Sequence, residues 1–287
     1  MLQRLDAHIA TANEALDSLA RDGGIVLCNL IPPDILSQIS TDLTPHFSSF
    51  WESDSLFSTK SRVVSSIAAK SPSFITNIAC NPLFLEICDH LLTSTYTCWY
   101  GTESQEIFTS KPQLNAAIAI SNHPGNEPQK LHRDDMGLHH RLPAISAQEY
   151  QPGRDAAVGI FVAATQTNQK NGATRFIPGS HLWDTERRPD EGMAVPVGLE
   201  PGDAFVMLAS CFHGGSANRS DRERTIYSAF YTKGYLRQEE NQYLTLSKEQ
   251  LAQYSPEVMQ RLGFAASEPF HGWVDLKDPR EALGLGN

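Results

Sequence analysis

Apolar residues open the chain at steps of three and four. Leu2, Leu5, Ile9, Ala12, Leu16 and Leu19 fall on one face of a helix, so the pattern predicts a helix over about residues 2–19. The run from Gly24 to Leu30 reads as a strand. Pro32-Pro33 opens a second helix, with Ile35, Leu36, Ile39 and Leu43 on one stripe. Residues 48–70 are polar and Ser-rich and read as loop, and 82–92 as a third, mostly apolar helix. From Tyr96 on the pattern turns to short strands: 107–108, 114–121, 158–165, 174–177, 204–208 and 225–232. Clusters of Gly, Pro, Asn and Asp separate them. Many short strands so punctuated predict a sandwich or barrel, mainly β with flanking helices. No strong linker interrupts the 287 residues, so one domain is expected. Its parts would be N-terminal helices to about 95, a β core over about 96–235 and a C-terminal extension over about 236–287.

Composition narrows the function classes. Hydrophobic residues make up 40% and charged residues 20%, as in ordinary globular proteins. A net charge of −10 argues against nucleic acid or an anionic membrane as partner, since both need basic patches. There is no run of about eighteen apolar residues and no apolar signal core in Met1–Asp6, which predicts a cytoplasmic protein. The five cysteines are odd in number and form no CxxC pair, which fits reduced thiols better than a disulfide framework. Cys211 lies two residues before His213, so a strand would put it on the same side; a small buried thiol is the plainer expectation.

One constellation carries candidate chemistry: His132-Arg133-Asp134, then His213, then Arg224. Two histidines and a carboxylate can hold a metal on one face of its coordination sphere. Up to three positions stay open, the arrangement associated with non-haem Fe(II) oxygenases. Residues i and i+2 of a strand share a face, so a strand would let His132 and Asp134 reach one ion. The third ligand must come from another strand. If 204–208 and 225–231 pair about a tip at Asn218-Arg219, residue 213 sits opposite 224. That register also turns Arg222 the same way, so it does not choose between the two arginines. A guanidinium near the metal suits bidentate capture of a carboxylate, as a 2-oxoglutarate cosubstrate requires. An isolated HxD among 10 histidines is weak; the full set is much stronger.

Further segments carry a family resemblance. Lys170-Asn171-Gly172-Ala173-Thr174-Arg175-Phe176-Ile177-Pro178-Gly179-Ser180-His181 resembles the "NG…IPGSH" segment of the phytanoyl-CoA dioxygenase family. Gln129–Asp135 resembles the metal-strand segment of its fungal secondary-metabolite branch, and Asp22–Leu27 its opening strand. The resemblance spans about residues 15–235 and implies a double-stranded β-helix (jelly-roll) core. It implies Fe(II), 2-oxoglutarate and O2 as cofactor and cosubstrates, with His132, Asp134 and His213 as iron ligands. Arg224 matches the arginine for the cosubstrate's distal carboxylate, and Gln129 the branch's cosubstrate glutamine. Arg62 resembles another position that reaches the cosubstrate. Thr174 is the expected hydroxyl contact, with Thr167 as its alternative. His181 is expected to be structural. His139 and His140 follow the metal segment, and at most one can face inward if that stretch is a strand. The carboxylate at 134 argues against halogenation, since related halogenases carry a small residue there.

The expected substrate is a small, largely apolar secondary metabolite, a meroterpenoid or an alkaloid. It would be altered by hydroxylation, desaturation, epoxidation or rearrangement, in an enzyme expected to be a homodimer. The chain does not end in a peroxisomal tripeptide, which weakens a lipid-CoA reading. Trp51, Phe57, Tyr100, Met136 and Phe230 are candidate pocket residues, although core packing is the default for such side chains. Segments 53–70, 136–151 and the tail after Tyr235 are the candidate specificity loops. Two other classes stay open: a zinc hydrolase, which needs no arginine clamp, and a non-catalytic barrel that binds a small ligand.

Overall fold

The structure, a computed structural model, describes residues 2–47 and 60–285. The chain begins with β1 (Arg4–Asp6), α1 (Ala12–Asp22), β2 (Gly24–Cys28), α2 (Pro33–Leu43) and β3 (Ser61–Val64). Next come α3 (Pro72–Phe74), which runs on as a π-helical turn (Ile75–Ala79), and α4 (Pro82–Leu92). A hairpin, β4 (Ser94–Tyr100) and β5 (Ser104–Ser110), leads into β6 (Gln113–Asn122), β7 (Ala157–Ala163), β8 (Thr174–Phe176) and β9 (Val195–Pro196). The core closes with β10 (Ala204–Leu208), β11 (His213–Gly215) and β12 (Arg224–Thr232). Four short helices follow: α5 (Gln242–Thr245), α6 (Lys248–Leu251), α7 (Pro256–Arg261) and α8 (Pro279–Ala282).

Two facing sheets form the double-stranded β-helix. The major sheet runs β1-β2-β10-β7-β12-β6-β3, and the minor sheet β11-β8-β9. The central strands of the major sheet are apolar on both faces because both are covered. Ile25, Leu27, Val158, Ile160, Val162, Val206, Tyr227 and Tyr231 pack outward against α1, α2 and α4. Val26, Phe161, Phe205, Met207 and Ile226 pack inward against Phe176 of the minor sheet. Each such fully buried side chain contributes about 1.5–3 kcal/mol by leaving water. The inner layer thins toward the Arg224 end of β12, where the alternation places Asn122 and Arg224 inside instead of apolar residues.

Local chemistry explains the helix limits. Thr11 and Glu14 form a capping box, and Gly23 closes α1 in the left-handed region with φ 78°. The expected helix over 2–19 therefore begins late: Arg4–Asp6 is instead a strand, pairing in parallel with Val26–Cys28. Leu5 packs on the core from that strand, and Leu2 from just before it. The expected loop over 48–70 contains β3, which pairs with β6. Trp51, Phe57 and residues 53–59 of the first candidate loop lie outside the described residues.

The register expected between 213 and 224 is not found. β10 and β12 both pair with β7, and β11 crosses into the minor sheet, where His213 opposes Phe176. Arg224 opposes Asn122 in the major sheet. Residues 213 and 224 therefore face each other across the barrel interior rather than along one hairpin.

Candidate metal and cosubstrate site

The segment Gln129–His132 runs beside β11 as an added rung of the minor sheet. Gln129 N–H donates to Gly215 O at 2.9 Å; His132 and His213 exchange both backbone bonds, at 3.0 and 2.9 Å. Directly opposed residues share a face, so both imidazoles enter the barrel, with ring centroids 4.5 Å apart. Asp134 arrives differently from the i, i+2 strand expectation. It opens a 3-10 turn (Asp134–Leu138), and its N–H is tied to Ala209 O at 3.0 Å.

His132 Nε2 lies 3.5 Å from Asp134 Oδ1, and His213 Nε2 lies 3.3 Å from Asp134 Oδ2. Ligands at right angles and about 2.1 Å from one ion stand roughly 3 Å apart, so these donors are spaced for a shared metal. Both Nδ1 atoms face backbone carbonyls, Lys130 O at 2.8 Å and Cys211 O at 3.3 Å. A carbonyl only accepts, so each Nδ1 carries the proton and each Nε2 presents its lone pair inward. Asp134 Oδ2 is buried and makes no hydrogen bond. Burial pushes the Asp134 carboxyl up, but the adjacent His213 and His132 outweigh it and hold it below the usual range. Burial lowers the His213 pKa, favouring the neutral, metal-binding form. The donor set fits a divalent ion.

Arg224 lies beyond the triad at the start of β12. It is 3% exposed, Nη2 donates to Gly172 O, and Nε is buried without a hydrogen bond. Burial alone drives its pKa down to about 10, with no carboxylate among the described residues to offset it. A buried, unpaired guanidinium is costly unless an anion completes it. Its surroundings are polar. A side chain at Gly215 would stand 3.1 Å from Gln129 Oε1, 3.6 Å from Arg224 Nη2 and 3.8 Å from Asn122 Nδ2. Gln129 Oε1 accepts from Gly215 N–H at 2.8 Å, which makes Nε2 the donor it presents elsewhere. Thr174 opposes Gly215 on β8 and shares the inward face of Phe176. Asn122 was not expected from the sequence. The available signal was an amide at an inward position of an otherwise apolar strand, opposite Arg224.

Other expected residues lie elsewhere. Arg62 opposes Ser121, and the alternation puts both on the helix-facing side of the sheet, away from Arg224. Its guanidinium reaches Glu223 at 2.9 Å and His123 at 2.8 Å. The Thr167 hydroxyl donates to Val197 O and accepts from Leu199 N–H, so it ties two distant segments together across an isolated bridge. Arg222 is exposed. Cys211 points to Gly23 O rather than to the metal side, and burial pushes its thiol up to about 12. His181 is fully buried, with Nε2 3.0 Å from Ala20 O. His139 ends the 3-10 turn with φ 53°, and His140 Nδ1 stands 3.6 Å from Asp135. Tyr100 and Met136 are exposed. Phe230 faces inward and meets Phe161 edge to face at 5.4 Å; Phe161 in turn lies 5.9 Å from the His213 ring.

The family model for phytanoyl-CoA dioxygenase (PhyH) matches residues 19–226. The chain belongs to the phytanoyl-CoA dioxygenase family. It is 45% identical over 294 residues to dioxygenase himG of Aspergillus japonicus, covering 99% of this chain and 91% of that one. It is 47% identical over 285 residues to dioxygenase peniF of Penicillium patulum, covering 99% and 92%. Among solved structures, the non-heme alpha ketoglutarate dependent epimerase SnoN from nogalamycin biosynthesis has the same fold. Its TM-score is 0.58 at 18% identity, over 81% of this chain and 88% of that one. HygX from Streptomyces hygroscopicus, solved with nickel, 2-oxoglutarate and hygromycin B, gives a TM-score of 0.56 at 13% identity, over 78% and 88%. As a family member this chain is an Fe(II)- and 2-oxoglutarate-dependent dioxygenase, and His132, Asp134 and His213 are its candidate facial triad.

Proposed function

We propose that this dioxygenase oxidises a small, largely apolar secondary metabolite. His132, Asp134 and His213 would hold iron, and Arg224 would bind the distal carboxylate of 2-oxoglutarate. The observation that carries the reading is the buried guanidinium of Arg224, unpaired among the described residues and opposite the triad. A hydrolytic zinc centre gives no reason for a desolvated cation there. Thr174, Gln129 and Asn122 would supply neutral hydrogen bonds around the same carboxylate. Iron, when bound, supplies oxygen activation, with 2-oxoglutarate oxidised to succinate and CO2.

The rest is the work of the chain's own residues. The two Nδ1–carbonyl contacts keep the histidines in the ligating tautomer. Phe161 and Phe230 form an apolar wall beside His213, on the side away from Arg224, and would seat the substrate there. The C-terminal tail packs on β6, where Glu239 N–H donates to Asn115 Oδ1 at 2.8 Å; burial, and then the Asp134 charge, raise the Glu239 pKa. A cavity of about 420 Å³ opens between the tail and the ends of β6 and β12, lined by Gln113, Tyr235, Glu239 and Tyr243. The segment from Met136 starts at the turn that carries Asp134. Meroterpenoids and alkaloids both suit an apolar wall with a polar rim. No described helix is long and apolar enough to cross a membrane.

The test is succinate formation from 2-oxoglutarate under air. The protein reconstituted with Fe(II) should release succinate slowly even without substrate, and the Zn(II) form should release none. Equal inactivity of both forms, with iron bound, would count against the reading.

A further inference from the structure

We propose that Arg175 is a positioning residue that seats the metal-ligand segment and the cosubstrate pocket together. The inference rests on the proposed function above. Arg175 lies between Thr174 and Phe176 on β8, and the strand alternation turns it to the outer face of the minor sheet. There it opposes Gly214 of β11. Gly214 is where the Gln129–Lys130 backbone folds over the sheet: an added Cβ would meet Lys130 O at 3.1 Å and Gln129 O at 3.3 Å. The missing side chain gives the segment room, and the guanidinium fixes it. Arg175 Nη1 donates to Gly215 O at 2.6 Å and Nη2 to Gln129 O at 2.9 Å. Glu191 closes the fork from outside, with contacts of 3.0–3.2 Å to Nε and Nη2.

Both carbonyls belong to residues at the Arg224 end of the site. Gln129 also leads directly into His132, and Gly215 follows His213 by two residues. One planar cation thus bridges the two strands whose opposed histidines would hold the metal. A lysine offers its three donors from a single nitrogen and lacks the planar fork whose separate nitrogens here reach Gly215 O, Gln129 O and Glu191. Arg175 acts through these two backbone carbonyls, from the outer face of the sheet.

The experiment measures dissociation constants for Co(II) and then for 2-oxoglutarate, by the visible ligand-field spectrum of the Co(II) protein. The full chain, Arg175→Ala and Arg175→Lys are compared, with thermal unfolding as a control. Residues that orient metal ligands typically cost about 10–100-fold in metal affinity when removed. Arg175→Ala is expected to weaken Co(II) binding by about tenfold or more, and 2-oxoglutarate with it. Millimolar guanidinium should restore part of both, and methylammonium should not. Arg175→Lys, which keeps charge and bulk, should fold normally and still lose most of the same affinity. The inference is overturned if the lysine variant binds Co(II) and 2-oxoglutarate within twofold of the parent, whatever the alanine variant does. If the parent itself fails to bind 2-oxoglutarate, the proposed function fails instead.

Discussion

His132 and His213 are directly opposed across one antiparallel bridge. They exchange backbone bonds of 3.0 and 2.9 Å and place their rings 4.5 Å apart on the same face. Two of three candidate metal ligands are therefore spaced by sheet geometry, before any side chain adjusts. The third, Asp134, is set by its own backbone bond to Ala209 O. His132→Ala, Asp134→Ala and His213→Ala should each abolish turnover and reduce bound iron below one per chain, with folding intact. A folded His213→Ala protein with full activity and stoichiometric iron would refute the triad.

The apolar wall should control the substrate and not the cosubstrate. Gly159 opposes Phe230 in the β7–β12 register, and a Cβ at 159 would enter the Phe230 ring. Gly159→Ala must push that ring from its place against Phe161. Phe230→Ala opens the same space, at a cost of about 3–5 kcal/mol if the site were fully buried and less here, where Phe230 is half-buried. Both variants should raise the ratio of succinate to oxidised product while 2-oxoglutarate affinity stays within about twofold. A parallel loss of cosubstrate affinity would place the wall on the wrong side of the metal.

Cosubstrate affinity should also depend on pH in a defined direction. Burial lowers the Arg224 pKa to about 10 in the free protein, and a bound carboxylate favours the charged form. Binding above that pH must take up a proton. Affinity should therefore be flat near pH 8 and fall as pH rises through about 10, by up to about tenfold per unit. Calorimetry in two buffers of different ionisation enthalpy, at pH 8 and above pH 10, measures the proton uptake. Binding with no uptake above pH 10 would contradict the buried, unpaired guanidinium.

How much of this was legible in the sequence depends on what carries each feature. His132, Asp134, His213 and Arg224 are rare residue types for inward positions; the first three bring ligand atoms within 4.8 Å of one another, and Arg224 is buried. Their route there was not legible. β11 is His-Gly-Gly and β9 is two residues, too short for any hydrophobic period, so the minor sheet was largely invisible. With β11 unseen, 204–208 and 225–231 read as a hairpin, and the register this implies between 213 and 224 differs from the one found. Arg62 reads as a pocket residue until its parity on β3 is known, because one residue's shift exchanges the two faces. Leu2 and Leu5 joined a helical stripe by chance of spacing, since an edge strand beside β2 needs apolar residues too. The tail helices run four to six residues each, below the length at which periodicity is informative.

The most direct test of the central claim is an anaerobic titration of the Fe(II) protein with 2-oxoglutarate, followed in the visible. Chelation of iron by the cosubstrate should give a metal-to-ligand charge-transfer band in the parent and in Arg222→Ala at similar concentrations. Arg224→Ala should need roughly thirtyfold more 2-oxoglutarate or beyond, the effect of about 2–5 kcal/mol expected for a lost charged partner. Absence of the band in the iron-loaded parent, or an Arg222 variant more impaired than the Arg224 variant, would contradict the account.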